Sequence, residues 1–142
     1  MKLSAAIAIC LALEAQTSAP PLSVSAVRHI TQNNVTRIAI EISGAFTYKS
    51  DRLHNPERVY YDIPNSRPSM NARHFFSEDL TDAFVKRIRV AETQPTVTRI
   101  VLDLTGPVDI SASQLANPER LIVDLRAIGT PSSLQAYGDG PA

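Results

Sequence analysis

The sequence predicts an all-β fold, a β-sandwich of two pseudo-symmetric, roughly four-stranded sheets built from an internal repeat. Two observations predict it. Val35-Thr36-Arg37-Ile38, Gly44 and Leu53-x-Asn55-Pro56-Glu57-Arg58-x-x-x-Asp62 return 62 residues later as Val97-Thr98-Arg99-Ile100, Gly106 and Leu115-x-Asn117-Pro118-Glu119-Arg120-x-x-x-Asp124. Laid without a gap on residues 97–126, residues 35–64 are identical at 11 of 30 positions. A period this long that occurs only twice points to one compact domain of two equivalent halves, not to a solenoid. Within each copy the apolar residues fall on every second position, which is the period of a half-buried strand.

The elements follow in chain order. Residues 1–22 are expected to be a signal peptide: Lys2 precedes an apolar run from Leu3 to Leu13 broken only by Ser4, too short to span a bilayer and the right length for a signal core. Cleavage is expected near Ala15 or Ala19. Ile7-Ala8-Ile9-Cys10 has the outline of a lipid-attachment site, but Ile9 is too large for the position before the cysteine and the segment ahead is too short. Because Cys10 is the chain's one cysteine, removal of this segment leaves a mature chain without disulfide or thiol chemistry.

The domain is expected over residues 23–128. Its first strand is Val24 to Ile30. In the second, Ile38, Ile40 and Ile42 face one side and Arg37, Ala39 and Glu41 the other. A short segment, Phe46 to Tyr48, leads to Asn55-Pro56, where proline's fixed angle and missing donor exclude a strand interior. Asn55 and Asn117 are expected to bond nearby backbone in their turns. Val59, Tyr61 and Ile63 then oppose Arg58, Tyr60 and Asp62. Ser77 to Phe84 (SEDLTDAF) has an N-cap serine followed by acids and predicts a helix in the connection between the halves.

The second half repeats the first. Val85 to Ala91 sets Val85, Arg87, Arg89 and Ala91 against Lys86, Ile88 and Val90. Ile100, Leu102 and Leu104 oppose Arg99, Val101 and Asp103. Val108 to Ile110 precedes the turn at Asn117-Pro118, after which Leu121, Val123 and Leu125 oppose Arg120, Ile122 and Asp124. Gly129 to Ala142 (GTPSSLQAYGDGPA) has linker composition, which implies a flexible tail leading to a further domain of a longer protein.

Composition restricts function. Fourteen basic and 14 acidic side chains cancel, and a nucleic-acid binder would carry a concentrated basic face. No cofactor or metal is expected, because His29, His54 and His74 are scattered without a zinc-binding spacing. With five glycines there is no room for a nucleophile elbow or a phosphate loop. Glu41, Asp62, Asp103 and Asp124 could pair for glycoside cleavage, yet each shares a strand face with an arginine. An adjacent guanidinium lowers a carboxylate pKa, which suits an ion pair better than a general acid, so no catalytic residue is expected.

The duplicated arginines and acids are the most functional-looking feature. Arg37 goes with Glu41, Arg58 with Asp62, Arg99 with Asp103 and Arg120 with Asp124. Two readings stand open here. They are cross-strand ion pairs on a solvated sheet, each worth under ~1 kcal/mol. Or some arginines keep one side of the fork for a ligand carboxylate, with Tyr60 as a platform for a sugar face. The candidate ligand-binding residues are Arg37, Arg58, Tyr60, Asp62, Arg99, Arg120 and Asp124. Two equivalent faces would engage one polymer with avidity.

The order Thr-Arg-(apolar alternation)-Gly, Leu-x-Asn-Pro-x-Arg-(three residues)-Asp, Val-Lys-Arg-Ile-Arg-Val-Ala and a second Thr-Arg-Ile-Val-Leu-Asp-Leu resembles the AMIN domain over residues 24 to about 127. That non-catalytic domain precedes bacterial N-acetylmuramoyl-L-alanine amidases and type IV pilus secretins. The resemblance implies a sandwich of two symmetrical four-stranded sheets, an envelope or periplasmic location, and peptidoglycan as partner. A zinc amidase as the parent protein is part of the same expectation. The alternative it implies is docking to other envelope or division proteins. The family's arginine and aspartate positions fall on Arg37, Arg58, Asp62, Arg99, Arg120 and Asp124. Neither nucleic acid nor a membrane span in the mature chain is expected.

Overall fold

A computed structural model describes residues 19–129. The expected signal segment lies outside the described residues as far as residue 18, Cys10 included, as does the expected tail beyond Gly129. The strands are β1 (Leu22–Gln32), β2 (Val35–Ile42), β3 (Lys49–Leu53), β4 (Arg58–Pro64), β5 (Ser66–Pro68), β6 (Phe75–Asp79), β7 (Val85–Gln94), β8 (Val97–Leu104), β9 (Asp109–Leu115) and β10 (Arg120–Arg126). They form two five-stranded sheets, the first ordered β5-β1-β2-β10-β9 and the second β3-β4-β8-β7-β6. The all-β sandwich is as predicted, with one added edge strand per sheet.

The repeat does not map onto one sheet per half. Each half gives two strands to each sheet: β1 and β2 meet β9 and β10, while β3 and β4 meet β7 and β8. The central pairings therefore join the two copies, with Ile38 opposite Val123 and Tyr61 opposite Ile100. Positions 62 residues apart occupy equivalent places in opposite sheets. The chain changes sheet between β2 and β3 and again between β8 and β9, and Phe46 and Val108 are buried at those crossings.

The predicted inward rows make the core. Ile38, Ile40, Ile42, Val59, Tyr61, Ile63, Ile100, Leu102, Leu104, Leu121, Val123 and Leu125 are each no more than 4% exposed. Full burial of such a side chain stabilises by about 1.5–3 kcal/mol, so this layer, not the charged surface, holds the sandwich together. Both Asn-Pro turns contain a cis peptide bond, and Asn55 and Asn117 have φ of 56° and 58°. What the asparagines supply is thus a left-handed backbone, which they adopt at less cost than other side-chain-bearing residues.

Four local expectations are corrected. Ser77 to Phe84 is not a helix. An isolated helix of eight residues is marginal, whereas the outer edge of β7 offers unpaired backbone groups, and β6 takes them from Phe75 opposite Ala91 to Asp79 opposite Arg87. Strict alternation in β7 fails at its start. A register shift between Val85 and Arg87 leaves Lys86 and Arg87 both exposed and turns Val85 inward with Ile88 and Val90. The short strands expected at Phe46 to Tyr48 and Val108 to Ile110 lie closer to their turns, as β3 and β9, because the hairpins pair right up to the turn, Leu53 with Arg58 and Leu115 with Arg120. Eight strands become ten because β5 adds in parallel to β1 and β6 adds antiparallel to β7.

A polar clip fastens the second half to the first. Asp82 accepts bonds from the hydroxyls of Thr31 (2.7 Å) and Thr36 (2.8 Å) at the end of the β1–β2 hairpin, and from the N–H groups of Phe84 (2.9 Å) and Val85 (3.0 Å). Partial burial pushes its pKa up, but these four bonds outweigh it and hold the carboxyl below its ordinary range.

Candidate functional site: the outer faces of the sandwich

The residues pointing away from the core form two polar faces related by the repeat. On the first sheet Arg37 of β2 lies opposite Asp124 of β10, Nε donating to Oδ1 at 2.8 Å and Nη2 to Oδ2 at 2.9 Å. On the second sheet Arg99 of β8 grips Asp62 of β4 in the same way, at 2.7 and 2.8 Å. These bonds raise the pKa of both guanidiniums above the ordinary arginine value. In the next row Arg89 of β7 forks onto Asp103 of β8 at 2.9 and 2.8 Å, and its first-sheet counterpart Arg28 reaches Glu41 at 3.1 Å. Partners sit across strands, not along one, and Arg37–Asp124 and Arg99–Asp62 each join the two copies of the repeat. Each oxygen of Asp62 and Asp103 accepts one guanidinium N–H, so both acids stand in two-bond ion pairs.

Arg58 and Arg120 are different. Each donates to the proline carbonyl of its own turn, Arg58 to Pro56 at 3.1 Å and Arg120 to Pro118 at 3.2 Å. Neither takes part in an ion pair among the described residues, so most of the five guanidinium donors remain for a ligand.

The two faces part company at one position. Tyr60 on the second sheet is Ile122 on the first, and Ile122 is buried. The guanidinium carbon of Arg99 stands 4.0 Å above the centre of the Tyr60 ring, a cation–π stack that ties the ring to Arg99. Around it lies an open trough of about 430 Å³ lined from five strands, with Leu53 from β3, Arg58 and Tyr60 from β4, Arg99 and Val101 from β8, Arg89 and Ala91 from β7, and Phe75 and Ser77 from β6. Phe75 is 63% exposed at its rim.

The structure thus divides the seven candidate residues. Arg58, Tyr60 and Arg99 line the trough, and Asp62 stands behind Arg99 and orients it. Arg37, Arg120 and Asp124 lie on the opposite face of the sandwich and belong to no shared site with the others. Phe75 escaped the sequence reading because it preceded the segment taken for a helix. The adjacent pair Phe75-Phe76, one exposed and one packed on the core, is the strand signal that could have revealed it. Among the described residues no cluster of three or more His, Cys, Asp or Glu side chains could hold a metal ion, and no helix is long and apolar enough to cross a membrane.

Comparison with known proteins gives these faces a context. The N-acetylmuramoyl-L-alanine amidase AmiC of Neisseria meningitidis serogroup B is 31% identical over 107 residues, which is 71% of this chain and 26% of that protein. The enzyme of the same name from Escherichia coli O6:H1 is 32% identical over 107 residues, 72% of this chain and 26% of its own length. The chain therefore spans about a quarter of the length of the curated relatives it matches. The family model of the AMIN domain matches residues 26–125, from β1 to the penultimate residue of β10 and including both outer faces, and on that match the chain belongs to the AMIN domain family.

Proposed function

We propose that this domain is a non-catalytic targeting module of the bacterial cell envelope that binds peptidoglycan through the outer face of its second sheet. The observation that carries the proposal is the trough: an aromatic ring stacked on Arg99, an exposed aromatic in Phe75, and an arginine without an acidic partner among the described residues lie within one concave surface. The kinship with amidases named for a cell-wall substrate supports the polymer as ligand. An exported chain cleaved after its signal segment, carrying the domain at the head of a zinc-dependent N-acetylmuramoyl-L-alanine amidase, would use it to hold the hydrolase on the wall.

Co-sedimentation with purified sacculi tests the reading. The unaltered domain is expected in the pellet, and Tyr60→Ala with Arg99→Ala in the supernatant. A domain that stays soluble in the presence of sacculi sinks the proposal. Clearing of cell walls by the domain alone in a zymogram would contradict its non-catalytic part.

A second reading, docking to an envelope protein as in a pilus secretin, is favoured by one feature. β9 is a seven-residue edge strand, largely exposed, that pairs only with β10 among the described residues, and such an edge accepts an added strand from a partner. A proline in place of Ser113, in the middle of β9, would abolish that recruitment while leaving sacculus binding intact.

A further inference from the structure

Within the peptidoglycan reading, on which this inference rests, the chemistry of the trough selects among the polymer's parts. The glycan with its stem peptides attached carries neutral hydroxyls and amides, whereas the stem peptides carry carboxylates. Here the charge left over is positive. Asp62 and Asp103 neutralise Arg99 and Arg89 through two-bond forks, whereas the third arginine of the lining, Arg58, has no carboxylate within an ion-pair distance among the described residues. What the side chains present is three guanidiniums and a few hydroxyls, set among Phe75, Tyr60, Val101, Ala91 and Leu53. Of the three guanidiniums only Arg58 lacks a carboxylate among the described residues, and its bond to Pro56 O uses one nitrogen of the fork.

A donor-rich, largely apolar trough with one unpaired fork fits an acceptor-only anion attached to small apolar groups. We infer that the trough binds the stem peptide of peptidoglycan and not its glycan: Arg58 takes a peptide carboxylate, and Phe75 and Val101 cover its small aliphatic side chains. The same logic explains why the first sheet is not an equal second site. Arg120 is equally unpaired there, but Ile122 replaces the aromatic platform and β6 has no counterpart carrying a Phe75.

The test measures binding of the full chain to three probes: intact sacculi, glycan strands stripped of stem peptides with the lactyl carboxylates so exposed capped as amides, and free stem peptides released by an amidase. The inference expects binding to sacculi and free peptides but not to stripped strands. Arg58→Gln should weaken peptide binding about tenfold or more, the scale of one charge-assisted bond. Arg58→Lys should lose less, and Arg67→Gln, an exposed charge on β5, should lose nothing. Phe75→Ser alters a side chain outside the core and gives an independent check should Arg58 variants fold poorly; it too should weaken peptide binding.

Equal binding to stripped strands and sacculi, or an undiminished affinity for peptides in both Arg58→Gln and Phe75→Ser, overturns the inference while leaving the targeting function standing. Failure to bind sacculi at all is a distinct result and overturns both.

Discussion

Replacing Asp82 should damage this fold far more than replacing any acid of the outer faces, although the carboxyl lies in a connection and touches no ligand surface. Asp82→Ala removes four bonds at once. Thr36 is 0% exposed, so its hydroxyl has no water to replace the carboxylate, and an orphaned buried donor costs about 1–3 kcal/mol. The Thr31 hydroxyl, 3.3 Å from that of Thr36, remains as a weak substitute and keeps the loss toward the lower part of that range. The N–H groups of Phe84 and Val85 add about 1 kcal/mol between them, giving an expected total of about 2–3 kcal/mol. By contrast Asp124→Ala breaks a pair whose arginine is 54% exposed and should cost under ~1 kcal/mol.

The pH dependence of the clip has a definite sign. The folded carboxyl titrates below its unfolded value of about 3.9, so its stabilisation is complete above that pH and is lost as pH falls through the folded pKa. Urea unfolding followed by far-ultraviolet circular dichroism, at pH 7 and at steps down to pH 2, measures both effects. Asp82→Asn should flatten the acid limb. A cost for Asp82→Ala no greater than for Asp124→Ala, or an acid limb unchanged in Asp82→Asn, would refute this account of how the halves are fastened.

Three further outcomes are expected. Thr98, the repeat equivalent of Thr36, is buried with no partner for its hydroxyl among the described residues, so Thr98→Val should be neutral or stabilising while Thr36→Val costs about 1 kcal/mol in the same unfolding assay. Burial pushes the Tyr61 hydroxyl up to about 12, so an ultraviolet titration should show a phenol ionising well above the ordinary value of about 10. Because the unfolded phenol ionises near 10, stability should be full below that pH and fall as pH rises toward 12. Ile38→Ala and Ile100→Ala, both at 0% exposure in equivalent places, should each cost about 2–5 kcal/mol, and costs of very different size would argue against equivalent cores.

The core was legible because burial acts on alternation, and alternation is written directly in rows such as Ile38, Ile40 and Ile42. The partnering of strands was not. Alternation tells which face a residue takes and so that arginines and acids share the outer faces, but nothing in Arg37 or Asp124 says that β2 lies beside β10, so which acid faces which arginine is not written in the sequence. The misread segment at Ser77 shows the same limit: SEDL favours a helix start locally, and the open edge of β7, far off in sequence, decides for a strand. At the site, Arg58, Tyr60 and Arg99 were readable from the repeat because it marks what differs between copies as well as what recurs. Phe75 has no counterpart in the other copy and was visible only once β6 was placed.

The measurement closest to the central claim is a map of the bound surface. In a titration of isotopically labelled domain with soluble peptidoglycan fragments, the amide shifts should gather at Arg58, Tyr60, Phe75, Ala91 and Arg99, on the outer face of the second sheet. Shifts that gather instead at Arg37, Ile122 and Asp124, or along the β9 edge, would contradict it.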